Sequence, residues 1–269
     1  MIELNKIYNE DCLEGMKRIP DGSVDCVICD LPYGTTECVW DSIIPLEKLW
    51  AQYNRVLKPN GTAVLFAQQP FTSMLVCSQI ELFRHSLTWI KDKCANFLAA
   101  RYTPMKYTED ICIFSKGNFT HNASNKATYN PQMIQLDFEV DASKHKTTTK
   151  KKCASINQIV ERPCNSSMVL QAYKKNDDTQ FPKNYIYFTV PNKDDRIHPT
   201  QKPVALIQYL IRTYSNEGDT ILDNCMGSGT TAIACIKEKR NFIGFELNKE
   251  YYDKACKRIK LEMAQPTLF

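Results

Sequence analysis

Two short stretches of the sequence contain residue types that could do chemistry together. In the first, VICDLPYG, an apolar run ends at Asp30 and is followed by Leu31, Pro32 and Tyr33. The second is a glycine loop, NCMGSG, far along the chain. A carboxylate, a rigid proline and an aromatic ring after a buried strand are typical either of a simple turn or of an active site at the carboxyl end of that strand. The glycine loop helps to decide between these interpretations.

The glycine loop lies between a predicted strand, GDTILD, and a predicted helix, TTAIACIKEKR. Gly227 and Gly229 allow a ligand to approach the backbone closely, and the helix after them presents free N–H groups. Glu246 ends the next predicted strand, where its carboxylate can accept hydrogen bonds from ribose hydroxyls. This order predicts a nucleoside-bearing cofactor. The alternative is a glycine-rich turn with an incidental surface glutamate.

Two cofactor classes fit this unit. GSGTTA satisfies the loose GxGxxG/A dinucleotide pattern, so an NAD-dependent oxidoreductase is one interpretation. Asp223 favours S-adenosylmethionine (SAM) instead, because a carboxylate just before the loop can meet the amino group of SAM and would repel the pyrophosphate of NAD. The loop also lies near the carboxyl end, whereas the dinucleotide fingerprint usually opens its domain. We therefore expect SAM as the cofactor.

Beside a methyl donor, the first stretch acquires a specific use. An exocyclic amine of adenine or cytosine is a poor nucleophile, because its lone pair is delocalised into the ring. The Asp30 carboxylate and the Leu31 carbonyl could accept its two hydrogens and stabilise the positive charge that develops during methyl transfer. Pro32 would hold the turn rigid, and Tyr33 would offer a ring on which a flipped base can stack.

These motifs, in this order, resemble the amino-group DNA methyltransferases of the β order, in which the catalytic tetrapeptide precedes the cofactor loop. DLPY at 30–33 resembles their [DNS]PP[YFW] signature, 223–229 their cofactor loop, and Glu246 their ribose acid. HPTQKP at 198–203 is similar to a family segment that packs on the methionine part of SAM. The resemblance implies SAM-dependent methyl transfer to a DNA base.

The resemblance also implies which residues hold the cofactor. They are Asp11, Cys12, Asp30, His198, Thr200, Gln201, Lys202, Asp223, Cys225, Gly227, Ser228, Gly229, Thr230, Glu246 and Leu247. Leu31 departs from the family, which usually has proline there, and is compatible if only its backbone carbonyl acts. An aspartate at the first position favours N6 of adenine, since N4-cytosine enzymes more often begin with serine.

The surrounding elements predict how these motifs are positioned. Strand and helix patterns alternate, which is typical of an α/β protein. Few strands follow the cofactor loop, so the sheet must include strands of the amino-terminal half, with the first beside the last. We expect a circularly permuted Rossmann-like SAM-dependent methyltransferase fold, with a mostly parallel seven-stranded sheet and helices on both faces. The predicted strands are IELNKIY, VDCVIC, TAVLFA, SLTWIK, EDICIFSK, GDTILD and NFIGFEL.

The middle of the chain loses this periodicity. We expect a catalytic half at 1–117 and a SAM-binding half at 196–269 of one domain, separated by an inserted target-recognition region at 118–195. YIYFTV at 185–190 has the pattern of a strand inside that region. The resemblance implies that lysines of the region contact DNA phosphates, although a solvated loop is the alternative for such a charge run. The candidates are Lys144, Lys150, Lys151, Lys152, Lys174 and Lys175.

Two pairs near the predicted site have open roles. Trp89 and Lys91 end a predicted strand near the site, and they are either site residues or an ordinary core tryptophan with a surface lysine. Trp40 and Asp41 follow the tetrapeptide, and they either line the base pocket or mark the entry of a helix.

The composition bounds the class of protein. Apolar residues make up 43% of the chain, enough for a large core, and a net charge of +4 does not by itself argue for nucleic acid. No segment resembles a signal peptide or a membrane span, so we expect a cytoplasmic protein. The resemblance implies that it is bacterial, or phage-encoded and located in the host cytoplasm. Cys26 and Cys29 form a CxxC, but their offset in a strand places them on opposite faces. We therefore expect reduced structural thiols and no metal site.

Together these features predict a SAM-dependent N6-adenine methyltransferase that acts on double-stranded DNA and flips its target base. Three alternatives remain open: an N4-cytosine methyltransferase, an NAD-dependent oxidoreductase and a non-catalytic DNA-binding protein. The intact tetrapeptide disfavours the last. The resemblance also leaves open a homodimer and a cognate restriction endonuclease as partners.

Overall fold

A computed structural model of the chain describes residues 2–34, 42–94, 96–120, 122–135 and 179–264. The α-helices in these ranges are α1 (Cys12–Met16), α2 (Leu46–Val56), α3 (Phe71–Ser78), α4 (Val204–Tyr214), α5 (Thr230–Lys237) and α6 (Lys249–Ala264). The strands are β1 (Lys6–Tyr8), β2 (Val24–Asp30), β3 (Leu57–Ala67), β4 (Phe83–Ile90), β5 (Thr108–Ser115), β6 (Ile134–Gln135), β7 (Thr179–Gln180), β8 (Tyr185–Tyr187), β9 (Thr220–Asp223) and β10 (Asn241–Phe245).

The chain divides into two compact units. The larger unit comprises Met1–Asn130 and Lys183–Phe269. The smaller unit is Pro131–Pro182, in which β6 and β7 form an antiparallel pair. All residues that the sequence predicts for catalysis and cofactor binding belong to the larger unit.

The larger unit is built on one eight-stranded sheet in the order β1-β10-β9-β2-β3-β5-β4-β8. Neighbouring strands are parallel, except that β5 runs antiparallel to both β3 and β4. The first strand pairs with the last, with Ile7 opposite Gly244. This pairing confirms the circularly permuted order.

The predicted count of seven strands in this sheet is one too low. The additional strand is β8, which lies inside the predicted insertion and pairs in parallel with the edge of β4. Ile186 at its centre is 8% exposed and opposes Trp89, so burial of one apolar side chain accompanies this short pairing. The sequence pattern showed the strand but not its membership of the main sheet.

Helices cover both faces of the sheet, as predicted. On one face, α4, α5 and α6 pack on a core that includes Cys26 and Ile28. On the other, α1, α2 and α3 pack on a core that includes Val27 and Cys29. The CxxC thiols are therefore on opposite faces. In the described ranges, no three or more His, Cys, Asp or Glu side chains are grouped so that they could hold a metal ion. None of the described helices has the length and apolarity to cross a bilayer.

The sheet determines where polar side chains meet. Because β2, β9 and β10 are parallel, Asp30, Asp223 and the residue after Phe245 lie at the same edge. The antiparallel β5 begins at this edge, which brings Glu109 to it as well. Helix α1 packs closely against the end of β10. A Cβ at Gly15 would lie only 2.2 Å from the ring of Phe245, so this approach requires a glycine.

Candidate active site

A cavity of about 820 Å³ lies at this edge of the sheet. It brings together the tetrapeptide, the start of α1, the segment before α4 and the ends of β9 and β10. The predicted residues that line it are Asp11, Cys12, Asp30, Leu31, Pro32, Tyr33, His198, Thr200, Gln201, Lys202, Asp223, Cys225, Gly227, Ser228, Thr230, Glu246 and Leu247. Motifs that are far apart in the sequence thus share one cavity.

Gly229 is the predicted cofactor residue that does not line the cavity. Its φ of 75° is in the left-handed region, and it precedes the first residue of α5. A Cβ at this position would lie 3.2 Å from Ala255 and 3.3 Å from Ile259, both on α6. Its lack of a side chain therefore serves the close packing of α6, whereas Gly227 is the glycine at the cavity wall.

Glu246 is held at the cavity wall by two backbone donors. Its Oε2 accepts a hydrogen bond of 2.7 Å from the Gly227 N–H, and its Oε1 accepts one of 2.8 Å from the Asn248 N–H. Burial raises the pKa of this carboxyl above its ordinary value, against the effect of these donors. Each carboxylate oxygen can accept a further bond, so Glu246 can bind a vicinal diol.

Asp223 is a buried carboxylate at the end of β9. Burial raises its pKa to about 6, although the Thr231 side chain and the Cys225 N–H act in the opposite direction. The Cys225 N–H donates to its Oδ1 over 3.0 Å. Among the described residues, Asp223 takes part in none of the salt bridges. A cationic amino group in the cavity would therefore stabilise its ionised form.

The segment before α4 is braced by its own side chains. The side-chain oxygen Oε1 of Gln201 accepts a hydrogen bond from the Ile197 N–H, and the His198 ring centroid lies 4.3 Å from that of Tyr251. Burial, together with the charge of Lys202, lowers the pKa of His198 to about 4. The imidazole of His198 is therefore neutral near pH 7. The same segment places Lys202 beside Asp30 of the tetrapeptide.

Asp30 lies in a cluster of alternating charges. Lys202 Nζ is 2.6 Å from Asp30 Oδ2 and 3.0 Å from Glu109 Oε1, and Lys91 Nζ is 2.6 Å from Glu109 Oε2. The Tyr33 hydroxyl is 2.8 Å from Asp30 Oδ1 and 2.9 Å from Glu109 Oε1. Two ammonium groups thus balance two carboxylates in a largely buried site.

The two carboxylates of this cluster differ in basicity. Burial alone would raise the pKa of Glu109, but the charges of Lys202 and Lys91 outweigh it and hold the pKa at about 2. Burial raises the pKa of Asp30 above its ordinary value in spite of Lys202, and the charge of Glu109 raises it further. Glu109 is therefore the permanent anion, and Asp30 is the better proton acceptor.

The side chains of the tetrapeptide have distinct surroundings. Leu31 is 2% exposed, and its side chain packs in the core on the α1–α3 face. The Tyr33 ring stacks on Phe71 with a centroid distance of 5.3 Å and an interplanar angle of 28°. One face of that ring is therefore covered by protein.

Several site residues were missed or left open by the sequence. Glu109 was not predicted, because it stands at the start of an apolar strand whose direction the pattern does not reveal. Lys91, whose role was open, lines the cavity and pairs with Glu109, and Trp89 is both buried and part of the lining. Lys202 lies in the segment expected to pack on the methionine part of SAM, and its ammonium contacts Asp30 and Glu109.

The pair Trp40 and Asp41 and the proposed DNA-contacting lysines lie outside the described residues. These lysines are Lys144, Lys150, Lys151, Lys152, Lys174 and Lys175.

Comparison with known proteins identifies relatives along nearly the whole chain. Type II methyltransferase M1.MboII of Moraxella bovis is 27% identical, over 95% of this chain and 96% of that protein. DNA adenine methyltransferase YhdJ of Escherichia coli K12 is 28% identical, over 96% of this chain and 83% of that protein. The structure of an M1.HpyAVI–SAM complex has a TM-score of 0.59 and 26% identity, and covers 94% of this chain and 98% of that one.

A fourth similarity concerns the fold alone. The PvuII cytosine-N4-specific DNA methyltransferase has a TM-score of 0.62 at 14% identity, and the match covers 98% of this chain and 87% of that one. Together with the M1.HpyAVI complex, it confirms the expected Rossmann-like methyltransferase fold.

A family model gives the broader assignment. The model described as DNA methylase, of the N6 and N4 amino-methyltransferases, matches residues 24–257. The expectation of a SAM-dependent amino-group methyltransferase is confirmed at the level of the family, and the NAD-dependent oxidoreductase that the glycine pattern allowed is not supported. Because the match spans most of the chain, the protein belongs to the N6/N4 DNA methylase family.

Proposed function

We propose that the protein transfers a methyl group from SAM to N6 of adenine in double-stranded DNA, with the target base flipped into the cavity. The observation that carries the proposal is the juxtaposition of two sets of carboxylates in one cavity. Asp223 and Glu246 lie at the ends of two adjacent strands, and Asp30 ends the strand next to them. The first two suit a cofactor and the third suits an amine.

The residues present fit SAM. Glu246 has acceptor capacity for the two ribose hydroxyls, and the buried Asp223 offers a negative charge to the amino group. Gly227 has a φ of 52° and no side chain, so the backbone of the loop can lie close to a ligand. When bound, SAM supplies an electrophilic methyl group on a positively charged sulfur.

Asp30 and Leu31 act on the amine of the base. The carboxylate of Asp30 and the carbonyl of Leu31 accept the two amine hydrogens, which directs the nitrogen lone pair out of conjugation and orients it for attack. As the nitrogen becomes positively charged, Asp30 stabilises it and then accepts the proton that the nitrogen must lose. Tyr33 and Lys202 contact Asp30 on different oxygens, and each oxygen keeps a further acceptor site for the amine.

Adenine is favoured over cytosine by two observations. Asp30 is the first residue of the tetrapeptide, and a relative of 28% identity is named a DNA adenine methyltransferase. The N4-cytosine alternative has support from the PvuII enzyme, but at 14% identity that likeness concerns only the fold. N6-adenine is therefore the proposed product, and N4-cytosine is the second candidate.

Product analysis tests this proposal. The protein is incubated with methyl-labelled SAM and unmethylated genomic DNA, whose mixed sequence offers a wide range of short recognition sites. The DNA is then digested to nucleosides and separated. We expect the label in N6-methyldeoxyadenosine. Label in N4-methyldeoxycytidine would overturn the adenine assignment, and DNA without label would overturn the enzyme assignment.

The basic segment of 118–195 is proposed to contact DNA phosphates. Replacing Lys150, Lys151 and Lys152 together by alanine should weaken DNA binding uniformly across sequences, because phosphate contacts carry no sequence information. Each lost phosphate contact should also reduce the magnitude of the slope of log K against log salt by about 0.9. Fluorescence anisotropy with a labelled duplex at several salt concentrations measures both quantities.

A matched control is available on α6. Lys257 and Lys260 are exposed lysines of that helix, and their double alanine variant should bind DNA as the wild type does. An unchanged salt slope in the triple variant would assign the run KHKTTTKKK to a solvated loop.

Other expectations from the resemblance keep the status of predictions. The division into halves at 1–117 and 196–269 around a target-recognition region at 118–195 is one of them. A homodimer and a cognate restriction endonuclease are two more, and size-exclusion chromatography with light scattering tests the first of these partners.

A further inference from the structure

The charge cluster at Asp30 contains a second acid, Glu109, that has no role in the proposed reaction. Glu109 has a side chain that is 6% exposed, at the edge of the sheet where β5 begins. Its two oxygens contact three groups: Tyr33 and Lys202 on Oε1, and Lys91 on Oε2. Burial of a carboxylate has a large desolvation penalty, which is offset only when the charged and hydrogen-bonding partners are well placed. The contacts of Glu109 therefore define the geometry of the cluster.

We propose that Glu109 is a positioning residue that orients the Asp30 carboxylate by holding Tyr33 and Lys202, an inference that rests on the proposed function. Tyr33 contacts Asp30 Oδ1 and Lys202 contacts Asp30 Oδ2, so the two oxygens of Asp30 are held by different groups. Both of these groups also contact Oε1 of Glu109. One oxygen of Glu109 thus contacts both groups that contact Asp30, and the single proton of the Tyr33 hydroxyl lies between two carboxylate oxygens.

Glu109 also limits how strongly Lys202 neutralises Asp30. The Lys202 ammonium is shared between Asp30 Oδ2 and Glu109 Oε1, whereas Lys91 compensates the second oxygen of Glu109. Without the charge of Glu109, Asp30 would be the single anion in a cluster that contains two ammonium groups. Asp30 would then be a weaker acceptor of the amine hydrogens and of the proton released from the nitrogen.

The charged and titratable groups that face Asp30 come from several elements. Lys202 precedes α4, Glu109 belongs to β5, Asp223 ends β9, and Tyr33 follows β2 itself. Glu109 raises the pKa of Asp30, after the larger effect of burial and against the effect of Lys202. Removal of the Glu109 charge therefore lowers the pKa of Asp30. Because the ionised form of Asp30 is the active one, the acid limb of the rate profile moves to lower pH.

The variant Glu109→Gln tests the inference, because it keeps the shape of the side chain and removes the charge. We expect kcat for methyl transfer near pH 7.5 to fall by roughly 100-fold, the effect of a misplaced reacting group. The affinity for SAM, measured by calorimetry, should stay at the wild-type value. The acid limb of kcat, measured between about pH 5 and 9 at saturating SAM and DNA, should lie at lower pH than in the wild type.

Two further variants separate positioning from simple loss of structure. Glu109→Asp keeps the charge on a shorter side chain, so it should lower kcat while its acid limb stays near that of the wild type. Glu81→Gln, at an exposed position just before β4, should change neither quantity. Thermal unfolding of each variant shows whether it is folded at the assay temperature.

Each outcome has a defined meaning. A Glu109→Gln enzyme with wild-type kcat would overturn the positioning role and leave the proposed function intact. A loss of activity equal at all pH values, with the acid limb unmoved, would assign Glu109 a purely structural role. A wild-type protein that transfers no methyl group to DNA would overturn the proposed function, and the inference with it.

Discussion

Asp30→Ala is expected to lower kcat for methyl transfer by about 10³-fold or more while the affinity for SAM stays largely intact. The substitution removes the acceptor that orients the amine and receives its proton, but it leaves Asp223 and Glu246 in place. The Lys202 ammonium keeps a partner, because Glu109 Oε1 is 3.0 Å from it. Single-turnover transfer to DNA and calorimetric binding of SAM separate the two effects.

Asp30→Asn is the closer variant, since it keeps the shape and one acceptor oxygen but cannot take the proton. Its activity should also be low. Because burial raises the pKa of Asp30, we expect the wild-type rate to fall at low pH as Asp30 is protonated, and Asp30→Asn should lack this acid limb. Asp253→Ala on α6, where the carboxylate is exposed and pairs with Lys249, is the matched control. Near-wild-type transfer by Asp30→Ala would exclude the proposed role.

The carboxylates that follow parallel strands could be predicted, because strands that alternate with helices along the chain run in the same direction. Asp30, Asp223 and Glu246 each follow an apolar run, and parallel strands carry such exits to one edge of the sheet. The pairing of β1 with β10 followed from the same logic, since too few strands come after the glycine loop to complete a sheet. Chain order and strand polarity were sufficient for these features.

The antiparallel part could not be predicted in this way. Glu109 reaches the same edge from the beginning of its strand, because β5 runs against β3 and β4. An apolar run has the same pattern whichever way its strand runs. The sequence pattern therefore did not show whether Glu109, at the start of β5, lies at the edge of the sheet with Asp30 or at the opposite edge. Lys202 shows a similar limit: its motif located the residue, but only the packed structure shows that its ammonium contacts Asp30.

Glu246→Gln should weaken SAM binding by about 100-fold with little loss of kcat at saturating SAM, the opposite division of effects from Asp30→Ala. Two hydrogen bonds from ribose hydroxyls to a charged acceptor are worth about 1.5 kcal/mol each or more, and 1.4 kcal/mol is tenfold in affinity. The amide is a poor substitute for a second reason. Both oxygens of Glu246 face backbone N–H groups, those of Gly227 and Asn248, so the amide nitrogen would oppose a donor.

Calorimetry with SAM and the dependence of the rate on SAM concentration measure this effect. Glu250→Gln is the control, since its carboxylate is exposed on α6 and pairs with Lys254. A Glu246→Gln protein that binds SAM as tightly as the wild type would show that the carboxylate serves only to close the loop through Gly227. A proportional loss of kcat at saturating SAM would instead place Glu246 in the orientation of the methyl group. The predicted division of effects therefore distinguishes a residue that holds the cofactor from one that acts on the amine, although Asp30 and Glu246 line the same cavity.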